Sequence, residues 1–167
     1  NVGRRTIELR NRVREEMAKV SEANRRLNSS LEAAAAVQKS LLPSSLPEAG
    51  GYDFEWKYMP SEHLGGDILD IFSYKDSVVC YAVDVSGHGV PSALVSVTVH
   101  NAIGRGQPTG EQVLAMDDPV AVVNYLSRHV AGLLVKTNLY FTMLYGVLNP
   151  KSGEFSFVQA GHPFPMV

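Results

Sequence analysis

Residues 1 to about 42 contain no proline and a single glycine, Gly3, and then Pro43, Pro47, Gly50 and Gly51 arrive together. No helix runs through such a cluster, so the chain must change character there. Upstream of the break, alternating steps of four and three give Val13, Met17, Val20, Asn24, Leu27, Leu31 and Ala34. That is a heptad seam, with Val13, Val20, Leu27 and Ala34 at d and Met17, Asn24 and Leu31 at a. One helix cannot bury so narrow a stripe on itself, which predicts a homodimer through Val13, Met17, Val20, Asn24, Leu27 and Leu31. Asn24 at an a position favours one register and a parallel pair. Arg10 holds the preceding a position, so the seam weakens toward the start. The alternative is an amphipathic helix packed on its own domain.

The expected organisation is therefore a coiled-coil linker helix over 1–42, a turn-rich linker over 43–51 and a folded domain over 52–167. Within the domain, YDFEWKYM (52–59), ILDIFSY (68–74) and VVCYAVDV (78–85) read as strands. Helices are expected from about Pro91 to Ile103 and from about Pro119 to Leu134, the second capped by Asp117 or Asp118. GRGQPTGEQVLAMDD between them lacks a phosphate-loop ending and reads as a connector. NLYFTMLYGVLNP (138–150) and EFSFVQA (154–160) read as a hairpin turning through Asn149 to Gly153. Strands, helices and strands again predict an α+β domain: an antiparallel sheet or sandwich with helices outside.

Composition narrows the function classes. Fifteen basic and seventeen acidic residues leave a net charge of −2, which gives nucleic acid no electrostatic purchase. The one cysteine, Cys80, lies in the apolar run VVCYAV and rules out an internal disulfide. No window is long and apolar enough for a membrane span. A cytoplasmic setting is expected. Because the chain opens at Asn1, it could be the cytoplasmic part of a longer, membrane-attached protein.

Chemistry is concentrated in GGDILDIFSYKDSVVCYAVDVSGHGVPSAL, residues 65–94. Asp67 and Asp84 stand at the ends of two apolar runs that should be neighbouring strands, and glycines lie near both. Two carboxylates brought that close repel unless a proton or a cation compensates. Oxygen donors suit a hard ion such as Mg²⁺ or Mn²⁺, and paired ions can activate water against a phosphoryl group. Ordinary strand-terminal turn residues are the plainer alternative. Ser86 lacks the glycine two residues earlier that a nucleophile elbow needs, and His63, His100 and His129 have no zinc-ligand spacing.

AAVQKSLLP, GGDILD, VDVSGHGVPSAL, YFTMLYGVL and QAGHPFP, in that order, resemble the SpoIIE/RsbU-like branch of the bacterial PPM (PP2C-type) metal-dependent serine/threonine phosphatases. The resemblance runs from about residue 36 to the end. It implies a central β-sandwich flanked by α-helices, and removal of phosphate from phosphoserine or phosphothreonine by metal-activated water. It also implies an anti-anti-sigma (STAS-domain) protein as substrate, and an upstream sensory or receiver domain joined through the coiled coil. Asp67 resembles a metal-binding aspartate and Asp84 the aspartate that bridges two Mn²⁺ or Mg²⁺ ions. Val85 would give its backbone carbonyl, where related enzymes use glycine. Gly87 and Gly89 would allow close packing around the metals. Asp70 would hold the loop, and His88 and His162 would take hydrogen-bonding places nearby. Family members continue to further acidic ligands in a TDG-like motif, and no acidic residue follows Glu154. The expectation is a phosphatase domain lacking its C-terminal part. The competing reading is a phosphatase-like module that binds its partner without hydrolysis; a purely structural dimerisation module ranks third.

Overall fold

The computed structural model describes residues 2–104 and 114–166. The connector expected around 104–118 falls largely on residues 105–113, outside that description. The chain divides into two compact units, Asn1–Ala36 and Val37–Val167.

Helix α1 spans Val2–Lys39. Its polar surface is laced by pairs one turn apart, Glu16 with Lys19 (2.9 Å) and Glu22 with Arg25 and Arg26 (both 2.8 Å). Such exposed pairs each add only about 0.2–0.5 kcal/mol. The apolar seam is open: Val13, Met17, Val20 and Leu27 are 56, 68, 59 and 57% exposed. Leu31 is half-buried and Asn24 exposed. No helix is long and apolar enough to cross a membrane among the described residues.

The second unit is built on one sheet. Strands β1 (Ile68–Tyr74) and β2 (Ser77–Val85) form a hairpin through Lys75 and Asp76. Helices α2 (Val90–Ile103), α3 (Pro119–His129) and α4 (Ala131–Thr137) follow, before β3 (Phe141–Asn149) and β4 (Glu154–Ala160). All neighbours are antiparallel, in the order β1-β2-β3-β4. The β3–β4 turn is tied by Asn149, whose Oδ1 accepts from the Lys151 and Ser152 amides.

Alternation along the strands gives two faces. Ile68, Phe72, Val79, Tyr81, Val83, Val85, Met143, Tyr145 and Val147 are buried in a core they share with Val95, Val99 and Ile103 of α2 and Val122 and Leu126 of α3. Leu69, Ile71, Ala82 and Leu144 alternate to the opposite face, as do Phe155 and Phe157, each 40% exposed. Gly146 makes room there: a Cβ on it would meet the Phe155 ring at 2.3 Å. A sheet apolar on both faces is patterned to be covered on both, as a sandwich requires. The described residues supply one sheet of that arrangement.

Three elements differ from expectation. Residues 53–59 form no ladder, and Tyr52 makes only an isolated bridge to Ala49. The single helix expected to Leu134 is two, because Val130, at φ −100° and ψ −7°, caps α3 through its amide to Leu126 and then opens α4. Asn138, expected to begin a strand, instead ends α4 in the left-handed region at φ 54°, which asparagine tolerates better than most residues. Asp118 is the α3 cap, its Oδ1 accepting from Val120 and Ala121 at 3.0 Å.

Candidate metal centre

The site forms at the end of the sheet where β1 begins and β2 finishes. Ile68 is the register partner of Val83, so Asp67 and Asp84 meet just beyond the ladder, on the face opposite the helices. Both are open to solvent. The Asp67 carboxyl is pushed above the usual carboxylate range, by loss of hydration first and by the neighbouring Asp84 second. His162 pulls the other way.

Gly66 fixes the backbone around the pair. A Cβ there would stand 2.6 Å from the Val85 carbonyl oxygen and 3.2 Å from Ser92 Cβ, so only glycine lets the two strand ends approach. This brings a third hard oxygen, the Val85 carbonyl, to the loop that carries Asp67. Two carboxylates and a carbonyl are donors that Mg²⁺ or Mn²⁺ accepts well, so the residues present fit such an ion. Among the described residues, no group of three or more His, Cys, Asp or Glu side chains is gathered as a ligand set.

The remaining residues singled out in the sequence are placed as follows. Asp70 is fully buried on the helix side of β1, with Oδ1 accepting from the Ile71 amide at 2.9 Å, and alternation turns it away from Asp67. His88 is exposed and lies 3.1 Å from Glu62, not against the aspartates. Gly87 and Gly89 adopt φ of 83° and 74°, and a Cβ on either would make only ordinary contacts. Backbone conformation, and not close packing, is what requires glycine at those two positions. His162 is nearer the pair: its Nδ1 lies 2.8 Å from Thr142 Oγ1, and Thr142 is the register partner of Asp84. Gln159 holds that turn by donating to the His162 carbonyl. Ser86 has a structural role, its amide donating to the Tyr140 carbonyl and its Oγ accepting from the Tyr140 amide.

Sequence reasoning missed Gln38. It is buried in the last turn of α1, where its Nε2 donates to the Gly65 carbonyl at 2.7 Å and to Ser96 Oγ at 3.2 Å, while its Oε1 accepts from the Gly65 amide at 3.2 Å. One side chain thus satisfies both backbone groups of the residue before Gly66. The signal was a lone amide in the run AAAAVQKSLL, and its partner lies 27 residues away. Tyr58 was missed as well. Its ring joins the edge of the core and its hydroxyl faces Gly65.

Known proteins resemble this chain in sequence and in fold. Residues 75–167, more than half of the chain, match the model of the family described as Stage II sporulation protein E (SpoIIE). The phosphoserine phosphatase RsbU of Bacillus subtilis (strain 168) is 29% identical over 136 residues, covering 81% of this chain and 38% of RsbU. The phosphoserine phosphatase RsbP of the same organism is 27% identical over 137 residues, covering 80% of this chain and 32% of RsbP. The chain therefore spans about a third of the length of these relatives. A solved structure, the SiaA-PP2C domain of Pseudomonas aeruginosa, superposes with a TM-score of 0.65 over 83% of this chain and 55% of that one, at 23% identity, a likeness of fold. With its PP2C-like α+β fold and a family match over more than half its residues, the chain belongs to the SpoIIE family.

Proposed function

We propose that this chain is catalytic sequence of a metal-dependent phosphatase acting on phosphoserine or phosphothreonine in proteins. The observation that carries the reading is the approach of Asp67 and Asp84 at adjacent strand ends, beside the Val85 carbonyl. Asp67, Asp84 and Val85 would hold Mn²⁺ or Mg²⁺. Such ions supply a nucleophilic water at neutral pH and offset charge on the phosphoryl oxygens. The chain's own part is to hold two carboxylates ready. Gly66 brings the strand ends together, Gln38 fixes the loop before them, and Thr142 with His162 borders them on the β3 side. Exposure of both acids suits a substrate as large as a protein. The family supports the finer reading of an anti-anti-sigma, STAS-type regulator as that substrate. The open seam of α1 supports a homodimer, with a sensory or receiver domain upstream and a cytoplasmic setting.

The test is Mn²⁺-dependent phosphate release from a phosphoserine protein, comparing the full-length gene product with its Asp84→Asn variant. Turnover in the first and none in the second is expected. Equal, metal-independent background in both would favour a module that binds its partner without hydrolysis.

A further inference from the structure

The Tyr58 hydroxyl is a buried polar atom with no hydrogen-bond partner among the described residues. It lies against Gly65, where a Cβ would come within 2.7 Å of it, and the Gly65 amide and carbonyl are already engaged by Gln38. Burying a hydroxyl with nothing to bond is unfavourable, and a native structure keeps such a group where some other state uses it. Gly65 is two residues before Asp67, and the Asp67 charge is felt at the phenol.

We propose that Tyr58 is a positioning residue for the metal centre: when a divalent cation is held at Asp67 and Asp84, the Tyr58 hydroxyl donates to the Asp67 carboxylate. The inference rests on the metal reading above and adds to it the group that orients one ligand. A carboxylate that holds a cation through one oxygen leaves the other to accept a hydrogen bond. Asp67 then has an oxygen in need of a donor. A neutral phenol has one proton to give. Outer donors of this kind fix a ligating carboxylate in its productive orientation, and removing one typically lowers metal affinity about 10–100-fold.

The experiment compares the full chain with its Tyr58→Phe variant, which keeps the ring and removes only the hydroxyl. Mn²⁺ is titrated by calorimetry, and thermal midpoints are recorded with and without the ion. The expected result is Mn²⁺ binding weakened about tenfold or more, with a metal-free midpoint equal to or above that of the unmodified chain. A group awaiting a partner contributes nothing before the ion arrives. Equal Mn²⁺ affinity in the two proteins, or a lowered metal-free midpoint in the variant, would overturn the assignment while leaving the metal reading intact. Absence of Mn²⁺ binding in the unmodified chain would overturn both.

Discussion

A methyl group at Gly66 would press on the Val85 carbonyl and on Ser92 Cβ, both held within packed elements. Gly66→Ala is therefore expected to lose about 1–3 kcal/mol, the usual cost of overpacking, read as a lower urea midpoint, and to lose Mn²⁺-dependent turnover with it. Asp67→Asn should behave oppositely in the metal-free protein. The folded-state pKa of Asp67 is raised, so this carboxyl favours folding while protonated, and that contribution disappears as pH climbs from the ordinary value of 3.8 through the raised one. Asparagine cannot ionise. The variant is expected to melt at or above the unmodified chain at neutral pH, by an amount that solvent screening keeps small, and to show no stabilisation by Mn²⁺. A melting point that falls would contradict the raised pKa of Asp67. At this scale Asp67 and Asp84 were legible, because an acid stands at one end of each apolar run with a glycine within three residues. Gln38 and Tyr58 were not, since their roles depend on backbone groups and carboxylates distant in sequence, which no local pattern encodes.

Elements were legible where their own residues decide them. β1 and β4 fall where alternation and turn residues put them, and Asp118 caps α3 as its place before Pro119 implies. Asp118→Ala should cost about 0.5–2 kcal/mol through the loss of the bonds to Val120 and Ala121, measured as a shift in denaturation midpoint. The segment 52–59 shows the limit of such reading. Its alternation sorts side chains between two faces, but a strand also needs a partner, and no described strand pairs with 53–59. The long stretch from Pro119 failed for another reason: buried Val122, Leu126 and Val130 keep helical spacing across the point where the backbone changes direction. For α1, the open seam makes its own prediction. Asn24→Leu should tighten self-association at least tenfold by sedimentation, because a buried asparagine at an a position gives up stability for register. Unchanged affinity would mean that Asn24 lies outside the seam.

Across the whole molecule, the two kinds of surface have separate purposes. One face of the sheet is committed to the helices, while the other carries half-exposed Phe155 and Phe157 and, at its end, the two aspartates. The thiol of Cys80, pushed up to about 11 by burial, takes no part in this chemistry. The polar groups are instead arranged around one corner, where Gln38 anchors the Gly65 loop, Gly66 admits the Val85 carbonyl, and Thr142 and His162 close the far side. All of them depend on the central claim that Asp67 and Asp84 are held together to receive a hard cation. Crystals grown with Mn²⁺ and measured for anomalous scattering test it most directly. A peak bridging the Asp67 and Asp84 carboxylates, lost in Asp84→Asn, is the predicted result. Anomalous density elsewhere, with none between the two aspartates at saturating Mn²⁺, would contradict it.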